Sequence, residues 1–271
     1  MGLRSVLNGT AVAVFCTAGL AAAEDVALLI GNETYRNFNS VTGARAVLTT
    51  SESFRAAGFE VIRVLDGTEV DIKNALDRFE TLHGDADRAV VVLSGQFMTA
   101  QSGTWFAPSD LQSPSLANVG FDALPLSAVL SFLGEKPGGA ALFLAQDPTG
   151  AAVDASIRKG IGALNIPQGV MVAKGTPSAV RKALTEAFLL QDASLAEAAE
   201  ASPDLEVTGF VSDLVSLNGA IVREEAEDVA VELTVPAAIA EQAFWQAVDA
   251  MGSKASYETY LRRYPDGEFV Q

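Results

Sequence analysis

A serine, two aspartates and a lone histidine are the side chains in this sequence whose types and positions could do chemistry. Ser94 closes the apolar run AVVVLSG (89–95), Asp110 ends TWFAPSD (104–110), and Asp147 ends GGAALFLAQD (138–147). All three fall where strands should reach their carboxyl ends, the edge at which open α/β sheets bind ligands. A hydrolytic site built from Ser94, Asp110 and Asp147 is therefore one expectation. A serine nucleophile needs an adjacent base, and a carboxylate pair needs one member with a raised pKa. The plainer reading makes Ser94 and Asp147 turn residues that satisfy strand-end backbone groups. His83, the single histidine, ends an amphipathic stretch before Gly84. A cation there meets the helix dipole favourably, which predicts a capping or surface role. Asp85-Ala86-Asp87 reads as a solvated turn, and no Asp-x-Asp-x-Asn-Gly loop occurs. Neither a calcium site nor any other metal or cofactor is expected.

The elements that must carry these residues alternate between short apolar runs and amphipathic stretches. VALLIG (26–31), AVVVLSG (89–95), AALFLA (140–145) and GVMVAKG (169–175) read as strands, the first two as strands buried on both faces. FEVIRVL (59–65) alternates as a strand does, and MTAQSGTWFAPSD (98–110) reads as a hairpin around Gln101-Ser102-Gly103. ARAVLTTSESFRAAG (44–58) reads as a helix closed by Gly58. TEVDIKNALDRFETLHG (68–84) reads as a helix with a Thr cap and acidic first turn, and LPLSAVLSFLG (124–134) as another. Strands and helices alternating at this spacing predict right-handed crossovers and a mainly parallel sheet with helices on both faces. The expected fold class is thus α/β, a three-layer α/β/α sheet followed by a small helical segment.

Beyond about Leu190 the composition shifts. DASLAEAAEASPD (192–204) is Ala- and Glu-rich and expected to be helical, and 191–236 reads as an elaboration or linker. AFWQAVDAMGSKASYETYLRRYPDGEF (243–269) predicts two helices joined near Gly252-Ser253. Phe244, Trp245 and Val248 would line one, and Tyr257, Tyr260, Leu261 and Tyr264 the other.

The N-terminus has a separate reading. Arg4, the apolar run VLNGTAVAVFCTAGL and the small-residue exit AAAED form the pattern of a secretory signal peptide, with cleavage expected after Ala23. The run is too short and too interrupted to span a bilayer comfortably. The mature chain is expected to be periplasmic or secreted and to contain no membrane span. The only cysteine, Cys16, lies inside the segment to be removed. The mature chain would then have no thiol for a disulfide, a metal site or a nucleophile. With 18 Lys and Arg against 34 Asp and Glu, the formal charge is −16. That surface argues against nucleic acid and against adsorption to anionic lipid.

Taken in order, ALLIGNETY (27–35), FRAAGFEVIRVLDGT (54–68), VVVLSGQF (90–97), TWFAPSD (104–110), LPLSAVLSFL (124–133), GGAALFLAQD (138–147) and IPQGVMVAKGTP (166–177) resemble the core elements of bacterial caspase-like peptidases, the metacaspase-related group. YLRRYPDGEF (260–269) is similar to a segment often found at the end of such proteins. The resemblance implies a caspase-like sheet over roughly 25–190. It also implies a site in which a His at one strand end activates a Cys at the end of the next. The His position is occupied by Gln96, and the Gly that normally follows it by Phe97. The Cys position falls on Asp147, or on Gln146 with a one-residue slip. Either choice satisfies the separation of about 50 residues between the two positions in caspase motifs. The two acids of the family's pocket for basic residues correspond to about Ala46 and to Ala145.

The organisation expected is a leader (1–23), a caspase-like domain (24–190), an elaboration or linker (191–236) and a helical hairpin (237–271). The function expected is that of a pseudo-peptidase with no intact catalytic residue. Ser94, Gln96, Phe97, Gln146 and Asp147 would rim a cleft able to hold a protein or peptide partner. The alternative is a hydrolase, either a cysteine-type endopeptidase by resemblance or a thiol-free site using Ser94 and Asp147.

Overall fold

A strand whose residues are apolar at both parities has to be covered on both faces. The computed structural model describes residues 25–147 and 157–219, and further on 245, 246, 248, 249, 254–265, 267 and 269. The expected leader and Cys16 lie outside the described residues, as do 220–236. The chain divides into two compact units, residues 1–222 and 223–271.

The first unit is built on a six-stranded sheet. Chain order brings β1 (Asp25–Gly31), β2 (Phe59–Leu65), β3 (Ala89–Ser94), β4 (Phe97–Ala100), β5 (Gly103–Phe106), β6 (Leu124–Pro125), β7 (Ala140–Ala145), β8 (Arg158–Lys159), β9 (Val170–Gly175) and β10 (Glu206–Gly209). The main sheet runs β10-β9-β7-β3-β1-β2, with only β10 antiparallel to its neighbour. The hairpin β4–β5 heads a smaller antiparallel sheet of order β6-β5-β4-β8.

Alternate residues of β1, β3 and β7 feed two cores. Leu29, Val92 and Phe143 face α1 (Ser51–Ala56), α5 (Pro177–Ala183) and α6 (Leu195–Glu200). Leu28, Val91 and Leu142 face α2 (Glu69–His83) and α4 (Leu126–Gly134). This is the expected three-layer sheet. A short helix, α3 (Leu116–Asp122), was not foreseen, nor was α5, although Thr176-Pro177 supplies its cap and first residue.

Local chemistry explains most helix boundaries. Thr68 accepts from the Asp71 N–H while the Asp71 side chain returns to the Thr68 N–H, a reciprocal cap for α2. The expected helix over 44–58 is instead a 3₁₀ stretch, Ala44–Thr50, followed by α1. Its close approach to β1 is permitted by Gly31, where a Cβ would lie 2.9 Å from the Ala44 carbonyl oxygen. In 124–134 the helix begins only at Leu126, because Leu124-Pro125 pairs with β5.

The reach from 191 to 219, expected as an elaboration or linker, is built into the first unit. Ser194 and Glu197 cap α6 reciprocally, so the helix spans Leu195–Glu200 rather than 192–204. Leu195, Ala198, Leu205, Val215 and Leu217 are buried in one of the two main cores. β10 extends the sheet on the open side of β9.

A buried ion pair locks this return. Asp25 and Arg88, at the amino ends of β1 and β3, meet with Nη2 at 2.5 Å and Nε at 2.7 Å from Asp25 Oδ2. Arg88 Nη1 donates to the carbonyls of Leu217 (2.8 Å) and Gly219 (3.1 Å), and its guanidinium lies 5.1 Å from the Phe59 ring centroid. In the second unit, Trp245 packs on Tyr260 at 4.9 Å and on Phe269 at 5.3 Å between centroids, and Tyr260 is buried. Leu261, expected inside, is exposed. No described helix is long and apolar enough to cross a membrane.

Removing one member of a buried pair leaves an uncompensated charge, at a cost of about 3–5 kcal/mol. Arg88→Met should therefore lower the urea unfolding midpoint of the protein by the equivalent of that amount. Adding Asp25→Leu to the same chain should recover part of the loss.

Candidate functional site

Parallel register sets the site. Gly31 lies opposite Ser94, Ser94 opposite Ala145 and Ala145 opposite Gly175, so four strand ends form one row. The ladder continues for one further step. The N–H groups of Asn32, Gly95 and Gln146 donate to the carbonyls of Ser94 (2.8 Å), Ala145 (3.0 Å) and Gly175 (2.9 Å). Gln96 and Asp147 thus each stand two residues beyond the ends of adjacent strands. Ser94, Gln96, Gln146 and Asp147 are gathered at one sheet edge.

Each is held differently. Gln96 is 4% exposed. Its N–H donates to the Tyr35 hydroxyl at 2.7 Å, its Nε2 donates to the Asn39 carbonyl at 2.9 Å, and its carbonyl accepts from the Ala107 N–H. Gly95 makes this possible, because a Cβ there would collide with the Tyr35 hydroxyl. Burial pushes the Tyr35 phenol well above its ordinary range, against the Gln96 hydrogen bond and assisted by the nearby Asp66. Tyr35 is a neutral hydroxyl at physiological pH.

Gln146 Oε1 accepts from the Ile161 N–H at 3.1 Å and so ties the β8 loop to the end of β7. Asp147 is half-buried at the same edge. Residues 148–156, which follow it, lie outside the described residues. Phe97, expected at the rim, turns inward at the start of β4. It is buried in the core against Phe106, with ring centroids 5.2 Å apart. Strand alternation places adjacent residues on opposite faces, so Gln96 and Phe97 cannot both face the edge.

The three-residue hydrolytic constellation is not assembled. The Ser94 Oγ is completely enclosed and has no hydrogen-bond partner among the described residues. Among the described residues, no base is hydrogen-bonded to it. Asp110 Oδ1 accepts from the Glu69 N–H at 3.1 Å, which places its carboxylate at the amino end of α2. Ala145 is a fully buried strand residue, and Ala46 lies within the 3₁₀ stretch.

His83 also departs from expectation. It is 2% exposed, lodged between Phe79 and Phe132, with Nε2 lacking a partner among the described residues. It is not a surface cap, because the last turn of α2 is covered by α4. Its segment leads into the amino end of β3, whereas Gln96 follows the carboxyl end. Six residues of strand separate the two edges by about 20 Å.

Residues not singled out from the sequence organise the edge. Asn32, fully buried after β1, accepts the Gly67 N–H at 2.8 Å and donates to the Ala107 carbonyl at 3.1 Å. Asp66 accepts from the N–H groups of Glu33 (2.7 Å) and Thr34 (3.0 Å), and Arg45 approaches it at 3.6 Å. The signal was present in Gly31-Asn32-x-x-Tyr35. That spacing places a buried amide and a buried phenol around one strand end.

No family model matches the chain, and no curated protein does. Among solved structures, the chain is similar to pro-sf-caspase-1, with 14% identity and a TM-score of 0.45 over 73% of this chain and 92% of that one. It is also similar to the Drosophila initiator caspase Dronc, with 10% identity and a TM-score of 0.47 over 81% of this chain and 95% of that one. The architecture, a mainly parallel six-stranded sheet between two helical layers, is read from the chain's own strand order and packing.

Burial, then Lys136, lowers the His83 pKa, while Glu135 at 3.9 Å, the Phe132 backbone and Glu80 act to raise it. The unfolded chain therefore binds this proton more readily than the folded one. Stability from a neutral His83 is complete above the ordinary value of 6.5 and is lost as pH falls through the lowered value. Urea midpoints should decline between pH 7 and 5.5 in the native protein, and more shallowly in His83→Leu.

Proposed function

We propose that the protein is an exported pseudo-peptidase, a caspase-like scaffold that holds a peptide or protein segment at its sheet edge without cutting it. The observation that carries this reading is Gln96. A carboxamide does not accept a proton at neutral pH, and here its Nε2 is committed to a backbone carbonyl. A thiol at its ordinary pKa needs a neighbouring base or cation to become a competent nucleophile. The Tyr35 phenol is held neutral by burial and supplies no base either. The sole cysteine of the sequence, Cys16, falls in the segment read as a leader.

Polar side chains line the edge. Asp147 and the Gln146 amide lie beside the end of β7, in the place where open α/β sheets take ligands. An edge of this kind can recognise an extended segment without chemistry. The 223–271 unit, with its aromatic cluster, supplies a second place for a partner. Export rests on the leader pattern and removal after Ala23, which places Glu24 at the mature N-terminus in the periplasm or outside the cell.

The deciding experiment incubates the purified mature chain, 24–271, with a diverse peptide library, with and without calcium, beside a Gln96→Ala/Asp147→Ala double variant. No cleavage above the double variant, with library peptides retained by the native chain and released by the variant, is the expected result. Cleavage abolished by the double variant would establish a thiol-free hydrolase and end the pseudo-peptidase reading. Intact mass of the protein recovered from the periplasm should correspond to a chain beginning at Glu24.

A further inference from the structure

The outer face of α2 forms one wall of an open groove of about 360 Å³. The opposite wall is α3, the β6 turn and the first turns of α4. The floor is apolar, with Ile72 and Leu76 on one side and Leu124 and Phe132 on the other. At its mouth stands Phe121, which is 87% exposed. A phenylalanine in that state leaves most of its large apolar surface in water, and rimmed apolar patches of this kind mark interaction sites.

The rim selects the partner. Four carboxylates line it, those of Glu69, Asp77, Glu80 and Asp122, with Lys73 as the only basic residue. Lys73 is already paired with Asp77 at 2.8 Å. The carboxylates of Glu69, Glu80 and Asp122 have no cationic side chain against them among the described residues. A second copy of this chain, at −16, is repelled from such a rim. The groove runs along α2 from Glu69 to Glu80, about 17 Å at the helical rise, which is three turns of a helix laid beside it. Grooves between two helices take a third through anchors at i, i+3, i+4 and i+7.

We propose that this groove docks a cationic amphipathic helix of another protein, with Phe121 as its aromatic anchor and Glu69, Glu80 and Asp122 as its charge selectors. The site is separate from the strand-end residues and does not depend on whether they do chemistry. It gives the protein a partner-binding face of defined sign.

The test is fluorescence anisotropy of the full mature chain with a labelled 15-residue peptide carrying Leu at i, i+3, i+4 and i+7 and Lys elsewhere. A matched peptide with Glu for every Lys is the control. The Lys peptide should bind and the Glu peptide should not. Phe121→Ser and Glu80→Lys should each weaken binding at least tenfold. Glu200→Lys, at the end of α6, should leave it within twofold. Phe121 and Glu80 are exposed, so both variants should keep the native urea midpoint. Equal weakening by Glu200→Lys would reduce the effect to overall charge and overturn the proposal. Indifference to Phe121→Ser would do the same. A concentration-dependent dimer in sedimentation, lost in Phe121→Ser, would assign the groove to self-association and overturn it as well.

Discussion

Parallel strands buried on both faces can place polar side chains only at their ends, and in this protein that constraint governs the arrangement of everything else. β1, β3 and β7 have their interiors filled by apolar residues of both parities, and β9 likewise as far as Ala173, with Lys174 turned to an ion pair with Glu206 on β10, so the central strands have no polar interior position. The chemistry-bearing residues are driven to the row after Gly31, Ser94, Ala145 and Gly175. Because the strands share one direction, those ends fall together, and residues far apart in sequence become neighbours there. The same constraint demands helices on both faces, which is why α2 and α4 cover one side while α1, α5 and α6 cover the other.

At that edge the hydrogen-bond network is structural in character. Asn32 ties the exits of β1, β2 and β5, Tyr35 takes the Gln96 N–H, and Gln96 reaches the Asn39 carbonyl. A buried amide with its donors engaged stabilises the loops on either side of it. A base poised for proton transfer has to keep a lone pair free for the reacting group. Gln96 is held as a brace between the Tyr35 hydroxyl and the Asn39 carbonyl.

The opposite edge is closed by charge. Asp25 and Arg88 neutralise each other at the amino ends of β1 and β3, and the guanidinium fastens the carbonyls at 217 and 219. A guanidinium is suited to this because its planar fork satisfies a carboxylate and backbone oxygens together. Residues 191–219 become part of the core through that clamp, through β10 and through Leu195 and Leu217. Low apparent hydrophobicity in DASLAEAAEASPD disguised this, since small alanines pack closely yet give little periodic signal.

Local patterns alone determined β1, β2, β3, β7 and β9, the capped α2, the β4–β5 hairpin and the three-layer class, because period, caps and turn residues are written within a few neighbours. Tertiary structure decided the rest. It turned Phe97 into the core, sent the Asp110 carboxylate to the start of α2, enclosed Ser94 and buried His83 between two phenylalanines. None of these is legible locally, because whether a side chain faces solvent, core or site depends on which distant element covers it. The groove at Phe121 belongs to the same category. α2 shows its polar outer face in sequence, but only the packing of α3 and α4 beside it makes an acidic-rimmed apolar channel.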